Sequence, residues 1–153
     1  MAETTAKRTD SSAKGFTKDE KDAMRERARE LKAEQRRAGK SGAADAEAEL
    51  HAKIAEMSPA DRAMAERIHE VIMAAVPSLS PRTWYGMPAY AKDGKILCHF
   101  QPADKFKTRY ATLGFSDEAR LDDGRLFPVA YAVTELTPAE ETRIGDLVKR
   151  AAG

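Results

Sequence analysis

Residues 90–101 read YAKDGKILCHFQ, and the tetrad Lys92-Asp93-Gly94-Lys95 in their midst decides the fold class. Asp-Gly supplies the left-handed dihedrals that the two central residues of a type I′ turn require, so two antiparallel strands are expected to flank it. On the C-terminal side Ile96, Cys98 and Phe100 take one face of a strand, and Leu97, His99 and Gln101 take the other. On the N-terminal side residues 84–90 read WYGMPAY. Pro88 cannot donate to a sheet ladder and Gly86 accepts dihedrals that other residues resist, so this stretch reads as a bulged or bent first strand entering the hairpin. Alternation across the bend would let Trp84 or Tyr85, and later Tyr90, fill the core.

Working outward, TRYATLGF (108–115) and VAYAVTEL (129–136) alternate as a third and a fourth strand, the latter with Val129, Tyr131 and Val133 on one face. Thr137-Pro138-Ala139-Glu140 is a helix-start signature, and Ile144, Leu147 and Val148 give the following helix an apolar side. Upstream, Ser58-Pro59-Ala60-Asp61 opens another helix, in which Met64, Ile68, Val71, Ile72 and Ala75 form a core-facing stripe. A helix over 45–57 carries Leu50, Ile54 and Met57. A further one over 17–37, begun by the capping box of Thr17 and Glu20, has a thin stripe of Met24, Ala28 and Leu31 and so little to bury. The expected fold is α+β: an antiparallel sheet of about four strands with helices on one face, preceded by a helical N-terminal extension. The division that follows is a disordered tail over 1–15, a charged helical extension over 16–57 with a linker near 38–44, and the α+β domain over 58–151.

At 153 residues the chain has room for one hydrophobic core. Its 26 Lys+Arg against 25 Asp+Glu give a formal charge of +1, so no global field draws nucleic acid or anionic lipid. Locally the balance is uneven: residues 7–40 hold 12 basic and 7 acidic side chains, and residues 41–70 hold 3 basic and 7 acidic. One cysteine, Cys98, excludes an intramolecular disulfide and any cysteine-built metal cluster within the chain, which points to a reducing, cytoplasmic setting. No apolar run is long enough to span a bilayer, so no membrane role is expected.

The run Trp84-Tyr85-Gly86-Met87-Pro88-Ala89-Tyr90, with Gly94 in the turn and Phe100 ending the next strand, resembles the YdhG-like family over about residues 61–150. This is a bacterial domain of unknown function that includes a frataxin-like intracellular iron chaperone. The resemblance implies a frataxin-like α+β sandwich, iron binding, and proteins that receive the iron. A frataxin-type site is a ridge of exposed carboxylates, hard ligands suited to iron, whereas this chain is nearly neutral. No family ligand transfers residue by residue.

Candidate ligands must therefore come from the chain itself. Glu66, His69 and Glu70 lie at i, i+3 and i+4, on one side of their helix and, by the helical wheel, toward solvent; they are the candidate metal site. The bland alternative is a solvated helix face with a surface histidine. Asp45, Glu47, Glu49 and His51 form a second acidic patch, and Asp117, Glu118, Asp122 and Asp123 a third. Cys98 and His99, adjacent on a strand, point to opposite faces and cannot act together. No nucleophile-elbow, phosphate-loop or dinucleotide pattern is present, so no enzyme template fits.

Two non-enzymatic readings result. One is a small iron-binding protein. The other is a binding module for a small molecule or macromolecule, built on the aromatic bend with Trp84, Tyr85, Met87 and Tyr90 and the neighbouring cations Lys105, Lys107 and Arg109. In the extension, Arg25, Arg29, Arg36, Arg37 and Lys40 are the residues that would contact phosphates, although a solubilising tail is the simpler account and nucleic acid is not the expected partner.

Overall fold

The chain is described by a computed structural model that covers residues 17–37 and 42–153. The Asp-Gly hairpin is where the sequence places it: strand β2 (Met87–Lys92) and strand β3 (Lys95–Gln101) pair antiparallel around Asp93 and Gly94, both at positive φ. The stretch WYGMPAY is not one bent strand. Trp84 ends strand β1 (Ser80–Trp84), Met87 begins β2, and Tyr85 and Gly86 between them, at φ 52° and 74°, make a second two-residue turn of the primed kind. A bulge does occur, six residues later, where the β2–β3 register shifts between Tyr90 and Ala91.

Strands β4 (Ala111–Phe115) and β5 (Ala130–Val133) complete an antiparallel meander in the order β1-β2-β3-β4-β5, five strands where about four are expected. The extra strand is β1, hidden from sequence reading because Tyr is an unusual occupant of a left-handed turn position. Strand β5 is shorter than its alternation implies, and Val129, expected to share the buried face with Val133, is 44% exposed.

Five helices occur among the described residues. Helix α1 (Lys18–Arg37) starts at the predicted capping box, Glu20 N–H donating to Thr17 Oγ1 at 3.1 Å and Thr17 N–H to Glu20 Oε2 at 3.4 Å. Helix α2 spans Gly42–Ala55 and α3 spans Pro59–Ala75, the latter capped by Ser58. A short helix α4 (Ala103–Phe106) precedes β4 and carries Lys105, and α5 (Pro138–Ala152) closes the chain behind the capping box of Thr137 and Glu140. The expected tail over 1–15, residue 16 and residues 38–41 of the expected linker lie outside the described residues, and linker residues 42–44 belong instead to α2.

Helix α3 packs against α5 and α2, and α2 lies on β1. The core between sheet and helices is one cluster that joins Leu50 and Ile54 of α2 with Ile68 and Ile72 of α3, Tyr90, Cys98, Phe100 and Leu113 of the sheet, and Val148 of α5. Because α2 covers its side, α3 buries a wider face than its aliphatic stripe: Asp61, Ala65, Ile68, His69 and Ile72 all turn inward. His69 is therefore 8% exposed, not on the solvent side.

Candidate metal centre

On α2 the apolar residues Leu50 and Ile54 are fully buried and fix the rotation of the helix. At about 100° per residue, Glu47 and His51 fall on the shoulder of that stripe, one turn apart on the same side. Helix α3 repeats the arrangement, with His69 following Ile68 as His51 follows Leu50. Packing of α2 on α3 brings the shoulders together. His51 Nε2 lies 3.7 Å from Glu47 Oε1, and His69 Nε2 lies 3.8 Å from the same oxygen. The three candidate ligand atoms fall within 4.8 Å of one another.

Donors sharing one zinc-sized ion at about 2.0–2.2 Å sit roughly 3.3 Å apart across a tetrahedral angle, so closure around an ion needs a contraction of about an ångström. The side chains of Glu47 and His51 are 47% and 53% exposed and have the freedom to supply it. His69 is the fixed member. Its Nδ1 lies 2.9 Å from the hydroxyl of Tyr90, a residue with no exposed surface, and its ring meets His51 edge-on at 4.9 Å between centroids. A hydrogen bond at one ring nitrogen orients the other, here toward Glu47. With a proton on Nε2, Nδ1 accepts from the Tyr90 hydroxyl; with a metal on Nε2 the bond reverses and Nδ1–H donates to Tyr90 Oη.

Burial, then the neighbouring His51, pulls the His69 pKa below its ordinary 6.5, against the opposing pull of Glu47 and Glu70. The neutral ring is the state a metal needs. Burial likewise pushes the Tyr90 hydroxyl upward and the Cys98 thiol up to about 12, so neither ionises near neutrality. Cys98 is a core residue without nucleophilic character.

The cluster read from the sequence is taken apart by the fold. Glu66 Oε1 accepts from Arg62 Nε at 2.9 Å, and Glu70 Oε2 from Arg67 Nη1 at 2.6 Å. Arg67 also grips Glu141 of α5 with two bonds of 2.6 and 2.8 Å. Both acids thus lie outside with arginine partners, while His69 turns inward away from them and toward Glu47 and His51. In the third patch Glu118 pairs with Lys95 at 3.4 Å.

The aromatic bend is likewise divided. Tyr90 and Met87 are buried, whereas Trp84 and Tyr85 are half-buried, and the Trp84 ring lies 5.1 Å from that of His99. The cations near it face α1. Lys105 Nζ donates to Gly86 O at 2.9 Å and to Glu26 Oε2 at 3.3 Å, and Lys107 Nζ lies 3.2 Å from Asp19 Oδ2. Arg109 instead stacks over Tyr110. Of the basic residues on α1, Arg25 reaches Asp22 at 3.8 Å and Arg29 lines a cavity beside α2; the side chains of Arg36 and Arg37, and the whole of Lys40, lie outside the described residues.

No family model, curated protein or solved structure matches this chain.

Two associations had no signal in the sequence. Glu47 and His51 read as part of the second acidic patch with Asp45 and Glu49, and nothing in their spacing names His69 as their partner. Glu30 of α1 is 8% exposed, and its carboxylate accepts from the backbone N–H groups of Tyr85 at 3.0 Å and Gly86 at 2.9 Å, fixing α1 to the turn. Among the described residues no helix is long and apolar enough to cross a membrane.

Proposed function

We propose that this protein is a non-enzymatic binder of a divalent transition metal, held by Glu47, His51 and His69. The observation that supports the reading is the convergence of two imidazoles and one carboxylate from two helices, with the buried imidazole oriented by Tyr90. Two histidines and a carboxylate are the donor set of non-haem ferrous sites and of open zinc sites. Three protein ligands leave coordination positions for water or for an acceptor, which suits a metal that is taken up and handed on. Ferrous iron is the cargo that the YdhG-like resemblance implies, and iron-receiving proteins would then be its partners. The ligand set differs from the exposed carboxylate ridge of that expectation and from Glu66 and Glu70, whose arginine partners compete for the oxygens.

The test is an anaerobic titration with ferrous iron, and with cobalt as a coloured substitute. One equivalent is expected to bind the native chain, with the cobalt absorption of mixed nitrogen and oxygen ligation. Binding should fall at least about tenfold in Glu47→Gln and in His51→Ala, since loss of even an outer-shell partner weakens a site about 10–100-fold. Both substitutions fall on partly exposed side chains and spare the core. The double variant Glu66→Ala/Glu70→Ala should bind as the native chain does. Native-like binding by His51→Ala, or no binding by the native chain, defeats the proposal.

A further inference from the structure

The turn at Tyr85 and Gly86 carries two successive backbone N–H groups that point away from the hairpin ladder. Both residues are in the left-handed region, and such a pair of amides forms a concave donor site for an anion. Glu30 fills it with both carboxylate oxygens, one per amide. Lys105 stands at the rim, bonded to Gly86 O, and Arg27 lies over the Tyr85 ring at 5.9 Å. The site is built from the fold's own backbone and one basic side chain, and its occupant comes from a helix that is otherwise weakly attached.

Among the described side chains of α1, those seen to hold it are largely polar. Besides Glu30, which also accepts from Arg27 Nη1 at 3.5 Å, Glu26 pairs with Lys105 and Lys53, Asp19 pairs with Lys107, and Arg27 lies over the Tyr85 ring. Its larger apolar residues are only partly covered: Met24 and Leu31 are each 45% exposed. A cavity of about 400 Å³ remains between α1, α2 and β1, lined by Glu26, Arg29, Glu30, Ala33, Lys53 and Thr83. A helix held by ion pairs over an unfilled gap is released at far lower cost than one held by packed aliphatic side chains.

We propose that the Tyr85–Gly86 turn is a carboxylate-binding cradle, that Glu30 is its resident and displaceable occupant, and that a carboxylate from outside exchanges with α1 there. The carboxylate has two sources, a free small acid or the acidic side chain of a peptide segment that takes the place of α1. The proposal is independent of the metal centre, which uses other faces of α2 and α3.

The experiment follows the amide resonances of Tyr85 and Gly86 in the full chain, native and Glu30→Ala, during titration with acetate, with acetamide as the uncharged match, and with a synthetic peptide of residues 18–37. In Glu30→Ala, acetate is expected to move both amides saturably and acetamide to leave them in place. The native chain should respond only at a higher acetate concentration, because Glu30 already holds the amides and must first be displaced. If the natural ligand is a peptide segment, the 18–37 peptide should act at a concentration at least tenfold below acetate, and its Glu30→Gln version should lose that advantage. Equal potency per carboxylate assigns the cradle to small acids. Dispersed resonances elsewhere in the spectrum establish that the variant is folded, and Glu30→Gln serves in its place if it is not. Amides that ignore acetate in the folded variant, that move equally in the native chain, or that follow acetamide as readily as acetate overturn the proposal.

Discussion

Two of the three histidines are held neutral by the fold, and this sets how the protein responds to acid. His69 and His99 both have pKa values drawn below 6.5, in each case first by burial. In the unfolded chain they take up protons as the pH falls through about 6.5, whereas in the fold they resist until their depressed values are reached. The unfolded state then binds more protons, so stability falls with pH across that window and levels off below it. Above it both states are neutral and the histidines contribute no pH dependence. Glu141 acts in the same direction at lower pH: the Arg67 hydrogen bond holds it below 4.5, so the unfolded chain again takes up the proton first and the stability it adds is lost as the pH falls below that value. Thermal unfolding followed between about pH 7.5 and pH 5 should therefore show a falling midpoint, smaller in His69→Gln. A midpoint that is flat over that range contradicts the burial of the two rings. Metal affinity should fall over the same window, since protons compete for His69.

At the scale of elements, the junction between α3 and α4 depends on one buried carboxylate. Helix α4 follows Pro102, which offers no side-chain cap, so the amides of its first turn need a partner from elsewhere. Asp61, 6% exposed on the first turn of α3, accepts from Asp104 N–H at 3.3 Å and from Lys105 N–H at 3.1 Å. Ser58, the cap of α3, donates in turn to Asp104 Oδ2 at 2.6 Å. The two helix starts thus satisfy one another, and the link aims Lys105 at Gly86 O. Replacing Asp61 by Ala leaves two amides without acceptors and should cost about 1–3 kcal/mol of stability in urea unfolding. A change within about 0.5 kcal/mol, the range of an ordinary surface substitution, would mean that water serves the amides equally well.

For the molecule as a whole, the question is where the folding unit begins. The sequence marks residue 58 as a helix start, and the division made there assigns α2 to a charged extension. Yet Leu50 and Ile54 sit in the same core as Ile68, Tyr90 and Phe100. Removing a buried Leu or Ile side chain costs about 2–5 kcal/mol, and the total stability of a domain is about 5–15 kcal/mol. A chain shortened to residues 42–153 is therefore expected to unfold cooperatively, with the loss of α1 felt mainly at the turn it covers. A chain shortened to 58–153 exposes the inner faces of β1 and α3 and should lose cooperative melting or self-associate. Circular dichroism melts with size-exclusion chromatography decide between them, and a cooperative, monomeric 58–153 chain would restore the boundary at 58.

Local chemistry is what made most of this fold readable from the chain. Asp93-Gly94 specified the central hairpin, Thr17, Ser58 and Thr137 specified three helix starts, and the alternation in KILCHFQ located β3 to the residue, because caps, turns and two-residue periods are properties of neighbours in sequence. Tyr85-Gly86 escaped because a left-handed tyrosine has no strong local signature; there the carboxylate of Glu30, 55 residues upstream, meets the turn's amides. The rotation of α3 escaped for a related reason. A helical wheel ranks residues by their own polarity, and it placed His69 on the solvent side with Glu66 and Glu70. Only the packing of α2 over that shoulder, with Tyr90 beneath to hold Nδ1, turned His69 inward and set it against Glu47 and His51. Partners brought together by burial carry no spacing that the chain itself records.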